Sequence, residues 1–171
     1  MKILSRKSTI IIIALIACAL GAYSALNLNN TPKNPVLQQA FASNIEQTKL
    51  ADFKQDYIIL DFWASWCQPC VKSLPYYETL FADLPPHKFA YVAVNLDTDP
   101  ADAKQFLADL NLNHTGVFFD AEGLLQRSFS IAGLPTLIVL DKQRQEINRL
   151  MGFNPKQQQN LENLLVNLNT N

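Results

Sequence analysis

Two cysteines separated by two residues carry the most distinctive chemistry in this chain. Cys67 and Cys70 stand in the run Trp66-Cys67-Gln68-Pro69-Cys70. At this spacing two thiols can close a small ring disulfide and open it again, so the pair can store and release two electrons. The spacing predicts thiol–disulfide chemistry, with metal binding and a permanent cross-link as the alternatives.

Neither alternative fits the rest of the chain as well. A structural zinc site needs four ligands and usually includes a second Cys or His pair. The third cysteine is Cys18, and the two histidines, His87 and His114, are far apart in sequence. A permanent disulfide at this spacing would close too short a loop to restrict the unfolded chain much. We therefore favour a redox-active pair and expect no metal at it.

The residues on either side of the pair predict a strand and a helix. Residues 57–62 form a short, β-rich apolar run typical of a buried strand. After the pair, apolar side chains recur at helical spacing, namely Cys70, Leu74, Tyr77, Phe81 and Leu84. At such a junction, unpaired backbone N–H groups and the helix dipole would stabilise a thiolate on Cys67, and the thiolate is the reactive form.

The N-terminal residues predict export from the cytoplasm. Residues 9–26 carry no charge over 18 positions, and a helix of that length would measure ~27 Å, close to the hydrocarbon thickness of a bilayer. Lys2, Arg6 and Lys7 precede this run, so the positive-inside rule keeps the N-terminus cytoplasmic. Three outcomes stay open: an uncleaved anchor, a cleaved signal peptide, or acylation of Cys18, because residues 15–18 resemble a bacterial lipobox.

Composition indicates one mildly acidic domain behind this leader. The 171 residues include 14 basic and 15 acidic side chains, and no basic block suggests a nucleic-acid partner. Residues 27–35 are polar with two prolines, which is typical of a linker. The predicted organisation is a membrane anchor or signal segment over 1–26, a linker over 27–35 and one domain over 36–171.

From residue 57 onward the elements are predicted in the order β-α-β-α-β-α-β-β-α. This alternation favours parallel strands with right-handed crossovers, and the final hairpin adds an antiparallel edge. Asp99-Pro100 and Asn154-Pro155 each give an N-cap acceptor followed by proline at the first helical position. Before residue 57 the pattern suggests only a short strand near Phe41 and a helical turn over 49–53. The predicted class is α/β, with a central mixed sheet flanked by helices.

Residues 61–70, with Pro75 five positions after Cys70, resemble the active-site segment of the thioredoxin superfamily. Residues 131–136 (Ile-Ala-Gly-Leu-Pro-Thr) resemble its cis-proline loop, and Gly152 matches its glycine after the last strand. The extra helix and strand between residues 89 and 119, together with the leader, resemble the TlpA-like or ResA-like branch of membrane-anchored, extracytoplasmic thiol:disulfide oxidoreductases. The resemblance implies a thioredoxin fold with an extra βα-type insertion behind an N-terminal membrane segment.

The resemblance also implies a catalytic role for three residues. Cys67 would be the attacking thiolate, exposed at the helix start, and Cys70 the resolving thiol. Asp61, a carboxylate in an apolar strand, would exchange a proton with Cys70, because burial raises a carboxyl pKa. The alternative for Asp61 is a purely structural polar residue. Thioredoxins proper carry a lysine near this acid, and the matching position here is Ala93.

Three further residues would bind the client. Pro135 is expected to be cis, which would bring the backbone of Leu134 beside the disulfide to pair with an extended client. An ordinary trans proline is the alternative. Trp66 would shield Cys67 and offer a contact surface, whereas Trp63 is expected in the core.

Together these expectations describe a cofactor-free reductase of client disulfides at a bacterial cell membrane, single-pass or lipid-anchored, with its domain in the periplasm or otherwise outside the cytoplasm. The uncharged Gln68-Pro69 does not stabilise the reduced thiolate as a strong oxidant requires. Expected clients are apocytochrome c cysteines in cytochrome c biogenesis, a metallochaperone, or oxidised exported proteins, and a membrane or extracytoplasmic thiol would supply electrons. The alternatives are a copper-binding or copper-transfer module that uses both thiolates, and a chaperone-like module with an inert disulfide.

Overall fold

A six-stranded mixed sheet forms the centre of the fold. The computed structural model describes residues 16–18, 21, 34–112 and 116–170. The strands are β1 (Ala42–Ser43), β2 (Tyr57–Trp63), β3 (Phe89–Asn95), β4 (Val117–Phe119), β5 (Thr136–Leu140) and β6 (Glu146–Met151). The helices are α1 (Cys70–Ala82), α2 (Pro100–Asp109), α3 (Leu124–Ser128) and α4 (Pro155–Thr170), with 3-10 turns at Pro35–Gln38 and Leu50–Asp52.

The strand order is β1-β4-β3-β2-β5-β6. Strands β2, β3 and β4 are parallel, whereas β5 and β6 continue the sheet beyond β2 in antiparallel pairs, and β1 pairs antiparallel with β4. The predicted α/β class and mixed sheet are confirmed. Helix α2 and strand β4 occupy the place predicted for the extra helix and strand, and β4 extends the sheet past β3.

Helices α2 and α4 begin at the two positions that the sequence predicted, and each has a capping side chain there. The Asp99 carboxylate accepts a hydrogen bond from the backbone N–H of Ala101 at 2.9 Å, directly before α2. Asn154 accepts one from Gln157 at 3.1 Å at the start of α4. Each cap satisfies a backbone donor that the first helical turn leaves unpaired.

The first 3-10 turn was not predicted. It begins at Pro35, and its Val36 and Leu37 are buried against the core. Asn34 caps this turn by accepting a hydrogen bond from the backbone N–H of Val36 at 3.1 Å. The packed core therefore includes Val36 and Leu37, the first two residues of the domain predicted over 36–171.

Strand β2 is buried on both faces, and its side chains alternate between two layers of core. Ile58, Leu60 and Phe62 belong to one apolar cluster, which α3 and the 3-10 turns help to cover. Ile59 and Trp63 point to the opposite face, where helices pack. Because strand side chains alternate with a period of two, Asp61 shares the face of Ile59 and Trp63.

The predicted N-terminal segment lies almost entirely outside the described residues. The contacts divide the chain into two units, residues 1–33 and 34–171. Of the first unit, Ile16 to Cys18 and Gly21 are described as helical, and Cys18 is exposed with a free thiol. Within the described residues, no helix has the length and apolar character needed to cross a membrane.

Candidate active site

The two cysteines of the motif form a disulfide between β2 and α1. The S–S distance is 2.00 Å and the two Cα atoms are 5.3 Å apart. The backbone N–H of Cys67 donates to the Ala64 carbonyl at 3.1 Å, and that of Cys70 donates to the Cys67 carbonyl at 2.9 Å. These bonds close the chain into successive turns, so the strand leads directly into a helix whose first residue is Cys70.

The prediction of an exposed Cys67 is wrong for this oxidised state. Only 4% of Cys67 is accessible, and Cys70 is fully buried. Both pack in one apolar cluster with Trp63, Ala64 and Leu74. Packing against Trp63 and Ala64 covers Cys67 although it lies in a loop. Cys67 is still the more accessible residue of the pair.

Asp61 is the buried acid of the site, as the sequence predicted. Its accessible fraction is zero, and in the sheet it lies between Ala93 of β3 and Leu137 of β5. Burial raises the pKa of Asp61 from 3.8 to about 8, and a hydrogen bond from Tyr91 partly offsets this rise. At neutral pH the folded chain therefore holds this carboxyl in its protonated form.

Tyr91 is a site residue that sequence reasoning missed. Its hydroxyl donates to Oδ2 of Asp61 at 3.1 Å. Among the described residues, Asp61 Oδ1 is buried and has no hydrogen-bond partner. Tyr91 precedes Ala93 by two residues in β3, so the period of two places both on one face of this strand. Ala93 itself is paired with Asp61, and its methyl group supplies no charge.

The loop that carries Pro135 packs against the disulfide cluster. The Leu134–Pro135 peptide bond is cis, which confirms the expectation for Pro135. Leu134 is half-buried and contacts the cluster that contains both cysteines. The carbonyl of Pro135 accepts a hydrogen bond from the N–H of Gly152 at 2.8 Å. Gly152 has a φ of 81°, a left-handed conformation that favours glycine.

A second anchor holds the segment before this loop. Arg149 of β6 donates to the Phe129 carbonyl at 2.7 Å and to the Glu146 carboxylate at 2.7 Å. The same guanidinium group therefore joins an edge strand to the chain that leads into the cis-proline loop.

Trp66 is the most exposed large apolar side chain among the described residues, with 70% of its surface accessible. It directly precedes Cys67, so it offers a contact surface beside the disulfide. Trp63 is fully buried, as predicted, and its ring lies 5.4 Å from that of Phe106. Met151, which is 53% exposed, lies near Gly133 of the cis-proline loop.

The loop that carries Trp66 is held by the buried carboxylate of Asp97, which sequence reasoning also missed. Asp97 Oδ2 accepts from the backbone N–H of Ser65 at 3.0 Å, and Oδ1 accepts from the Ser65 hydroxyl at 3.0 Å. The Asn95 amide donates to the same carboxylate at 2.7 Å. The end of β3 thereby fixes the residue that precedes Trp66.

The two histidines are the remaining candidates for metal ligands. His87 is exposed, and His114 lies outside the described residues. In the described part of the chain, no group of three or more His, Cys, Asp or Glu side chains is arranged to hold a metal ion.

The fold and the disulfide define the class: this is a thioredoxin-like protein with a Cys-x-x-Cys disulfide at the start of a helix. More particularly, the chain belongs to the Redoxin family, whose model matches residues 29–165. The predicted membership of the thioredoxin superfamily, with a likeness to its ResA-like branch, is confirmed by the relatives.

Two relatives are thiol-disulfide oxidoreductases named ResA. That of Bacillus thuringiensis subsp. konkukian is 28% identical over 113 residues, which are 66% of this chain and 65% of that protein. The match thus spans slightly less than two thirds of that relative. The Bacillus subtilis protein is 25% identical over 148 residues, 82% of each chain. Among solved structures, a thiol:disulfide interchange protein assigned as DsbE, from Chlorobium tepidum, is 33% identical with a TM-score of 0.70, covering 76% of this chain and 92% of that one.

Proposed function

We propose that this chain is an extracytoplasmic oxidoreductase that reduces disulfides in client proteins. The observation that carries the proposal is the closed Cys67–Cys70 disulfide at the start of α1. A pair held at bonding distance in the fold can exchange its disulfide with a client without rearranging the sheet. The likeness to proteins named thiol-disulfide oxidoreductase supports the same activity.

In the proposed reaction the reduced chain supplies two electrons. The Cys67 thiolate attacks one sulfur of the client disulfide, and the other client sulfur leaves as a thiolate. The ionised form of Asp61, which is the minor form at neutral pH, then takes the proton of Cys70. The Cys70 thiolate attacks Cys67 and releases the second client thiol. The chain ends oxidised with its disulfide closed, and the client gains both electrons. An external thiol donor must then reduce the pair again.

Cys67 is the better candidate for the first attack, because it is the more accessible residue of the pair and it precedes the helix N-terminus. A Cys70→Ser variant should therefore trap clients as stable mixed disulfides, whereas Cys67→Ser should trap none. Trapping through Cys67→Ser alone would reverse the two roles. Identification of the trapped proteins would name the client class.

The direction of electron flow follows from the charge near the pair. Gln68 and Pro69 carry no charge, so the reduced thiolate gains mainly the helix dipole and local N–H groups. We expect a reduction potential below about −200 mV, closer to thioredoxin than to strong oxidants. Equilibration of the full-length chain with glutathione measures it, and a value near −120 mV would overturn the reductant assignment. Pro69→His adds a group that can be cationic and should raise the potential.

The location outside the cytoplasm rests on the sequence of residues 1–26, where a charge-free run follows basic residues. Cell fractionation and external protease treatment should find the chain in the membrane fraction with an accessible domain. The mass of the mature protein separates the intact anchor from cleavage and from acylation at Cys18. A cytoplasmic, protease-protected domain would contradict the proposal.

Copper transfer through the two thiolates stays an alternative, because soft sulfur ligands suit Cu(I). Titration of the reduced chain with Cu(I), in competition with a chelator of known affinity, tests it. Tight binding together with slow disulfide exchange would favour copper transfer over reduction.

A further inference from the structure

The buried acid of the site has a polar partner that comes from the neighbouring strand. Tyr91 and Ala93 lie on one face of β3, and the parallel register pairs Ala93 with Asp61. From two residues earlier, the Tyr91 side chain reaches Asp61 and donates its hydroxyl to Oδ2 at 3.1 Å. Its ring packs 4.7 Å from that of Phe81 in α1, which fixes where the hydroxyl points.

The direction of this hydrogen bond is constant across the working pH range. Burial and the nearby carboxylates raise the pKa of Tyr91 well above its ordinary value of 10.0, so the phenol keeps its proton. A protonated phenol donates to Oδ2 of the ionised carboxylate, and it continues to do so in the neutral acid when the acid proton lies on Oδ1. Oδ2 is therefore occupied as an acceptor in both states.

We propose that Tyr91 is a positioning residue for Asp61, reserving Oδ2 so that the proton exchanged with Cys70 is carried on Oδ1. This inference rests on the proposed function. Oδ1 suits that role because, within the described residues, it is buried and accepts no hydrogen bond. In the step itself, the Asp61 carboxylate takes the Cys70 proton onto Oδ1 and becomes a neutral acid, while the negative charge passes to the sulfur. No electrons move between the two groups.

The hydrogen bond from Tyr91 also affects the pH at which Asp61 ionises. A hydrogen bond from Tyr91 favours the charged carboxylate, and its effect on the pKa of Asp61 opposes that of burial. The other titratable groups that act on this pair are Tyr77 and Glu78, both on α1. On the β5 side, the residue paired with Asp61 is the apolar Leu137. Removal of the Tyr91 hydroxyl should therefore raise the ionisation midpoint of Asp61.

The test compares Tyr91→Phe with Tyr57→Phe in the full-length, oxidised chain. Both changes remove one phenol oxygen and keep the ring, but Tyr57 stacks on Phe89 and makes no hydrogen bond to Asp61. Carbon-13 NMR of aspartate carboxyls follows the ionisation, and Asp61→Asn assigns the signal. The oxidised state is used because neither active-site cysteine titrates there.

We expect Tyr91→Phe to raise the Asp61 midpoint by about one pH unit, since a hydrogen bond to a charged group is worth about that much. Tyr57→Phe should leave it in place. Tyr91→meta-fluorotyrosine makes the phenol a stronger donor and should lower the midpoint, which keeps the test available if Tyr91→Phe folds poorly. The pH profile of mixed-disulfide release should move by the same amount and in the same direction.

An unchanged or lower midpoint in folded Tyr91→Phe would overturn the proposal, as would equal shifts in both phenylalanine variants. Failure of the wild-type chain to exchange disulfides would instead refute the proposed function. The two failures are distinguishable, because the carboxyl titration is read in the oxidised protein without any client.

Discussion

Replacing Asp61 with asparagine should stabilise the protein at neutral and alkaline pH. The carboxyl is fully buried, so the fold resists its ionisation. Asparagine has nearly the same shape, its carbonyl can still accept the Tyr91 hydrogen bond, and it never ionises. Above the pKa of Asp61 in the unfolded chain, the buried carboxyl lowers the free energy of unfolding of the wild type. The asparagine variant is expected to avoid this loss.

The direction and the size of this gain in the free energy of unfolding follow from the pKa values of Asp61 in the unfolded and the folded chain. In the unfolded chain the group ionises near 3.8, but in the folded chain it holds its proton until about pH 8. Between these limits the folded state binds more protons than the unfolded state, so the free energy of unfolding falls as pH rises. The interval spans roughly four pH units, and each is worth about 1.36 kcal/mol, which gives an upper bound of about 6 kcal/mol. Below pH 4 this contribution vanishes.

Urea unfolding of the full-length, oxidised chain between pH 4 and 9 measures the effect. The two proteins should be close in stability at pH 4, and Asp61→Asn should gain steadily up to about pH 8. Asp83→Asn makes the same chemical change at an exposed position after α1 and serves as the control. Parallel stability curves for wild type and Asp61→Asn would refute the reasoning, because the buried carboxyl would then titrate as it does in the unfolded chain.

Three other substitutions test the surroundings of the disulfide. Trp66→Ala should leave the free energy of unfolding within about 0.5 kcal/mol, because the ring is exposed, but should raise KM for a protein client far more than for a small disulfide; equal losses for both substrates would argue against a contact role. Asp97→Asn should lower the free energy of unfolding by about 1–3 kcal/mol, since the Ser65 donors lose a charged acceptor, and an unchanged urea midpoint would contradict this. Arg149→Met frees the Phe129 carbonyl, so amide exchange should accelerate in residues 129–135 and not only in β6; protection that is unchanged there would show that the anchor is dispensable.

Local patterns were sufficient for the helices and strands from residue 57 onward and for the cysteine pair between β2 and α1. The periodicities of two and of three to four residues predicted β2 and α1 on either side of the pair, because these periods reflect which side chains face a core. The pairs Asp99-Pro100 and Asn154-Pro155 predicted two helix starts, because capping involves only neighbouring residues. Pro135 and Gly152 were found through the family resemblance. The backbone adopts the expected cis bond at Pro135, and Gly152 has a positive φ.

The contacts of Tyr91, Asp97 and Arg149 could not be predicted in the same way. Each of these hydrogen bonds joins residues about 20 to 32 positions apart in the sequence. Its formation depends on the register of the strands and on the length of the side chain, and no local pattern indicates it. Tyr91 shows this most clearly, since its hydrogen bond to Asp61 requires β3 to pair in parallel with β2 at one particular register.

The sequence by itself determined the redox-active pair, the acid in its strand and the order of the elements, because all of these depend on residue type and short-range spacing. Only the tertiary structure decided that Cys67 is covered in the oxidised state and that a tyrosine is the partner of Asp61. It also left Oδ1 as the carboxyl oxygen without a partner among the described residues. Burial and long-range hydrogen bonds arise when distant segments pack together, and that packing raises the pKa of Asp61 and gives the carboxyl two unequal oxygens.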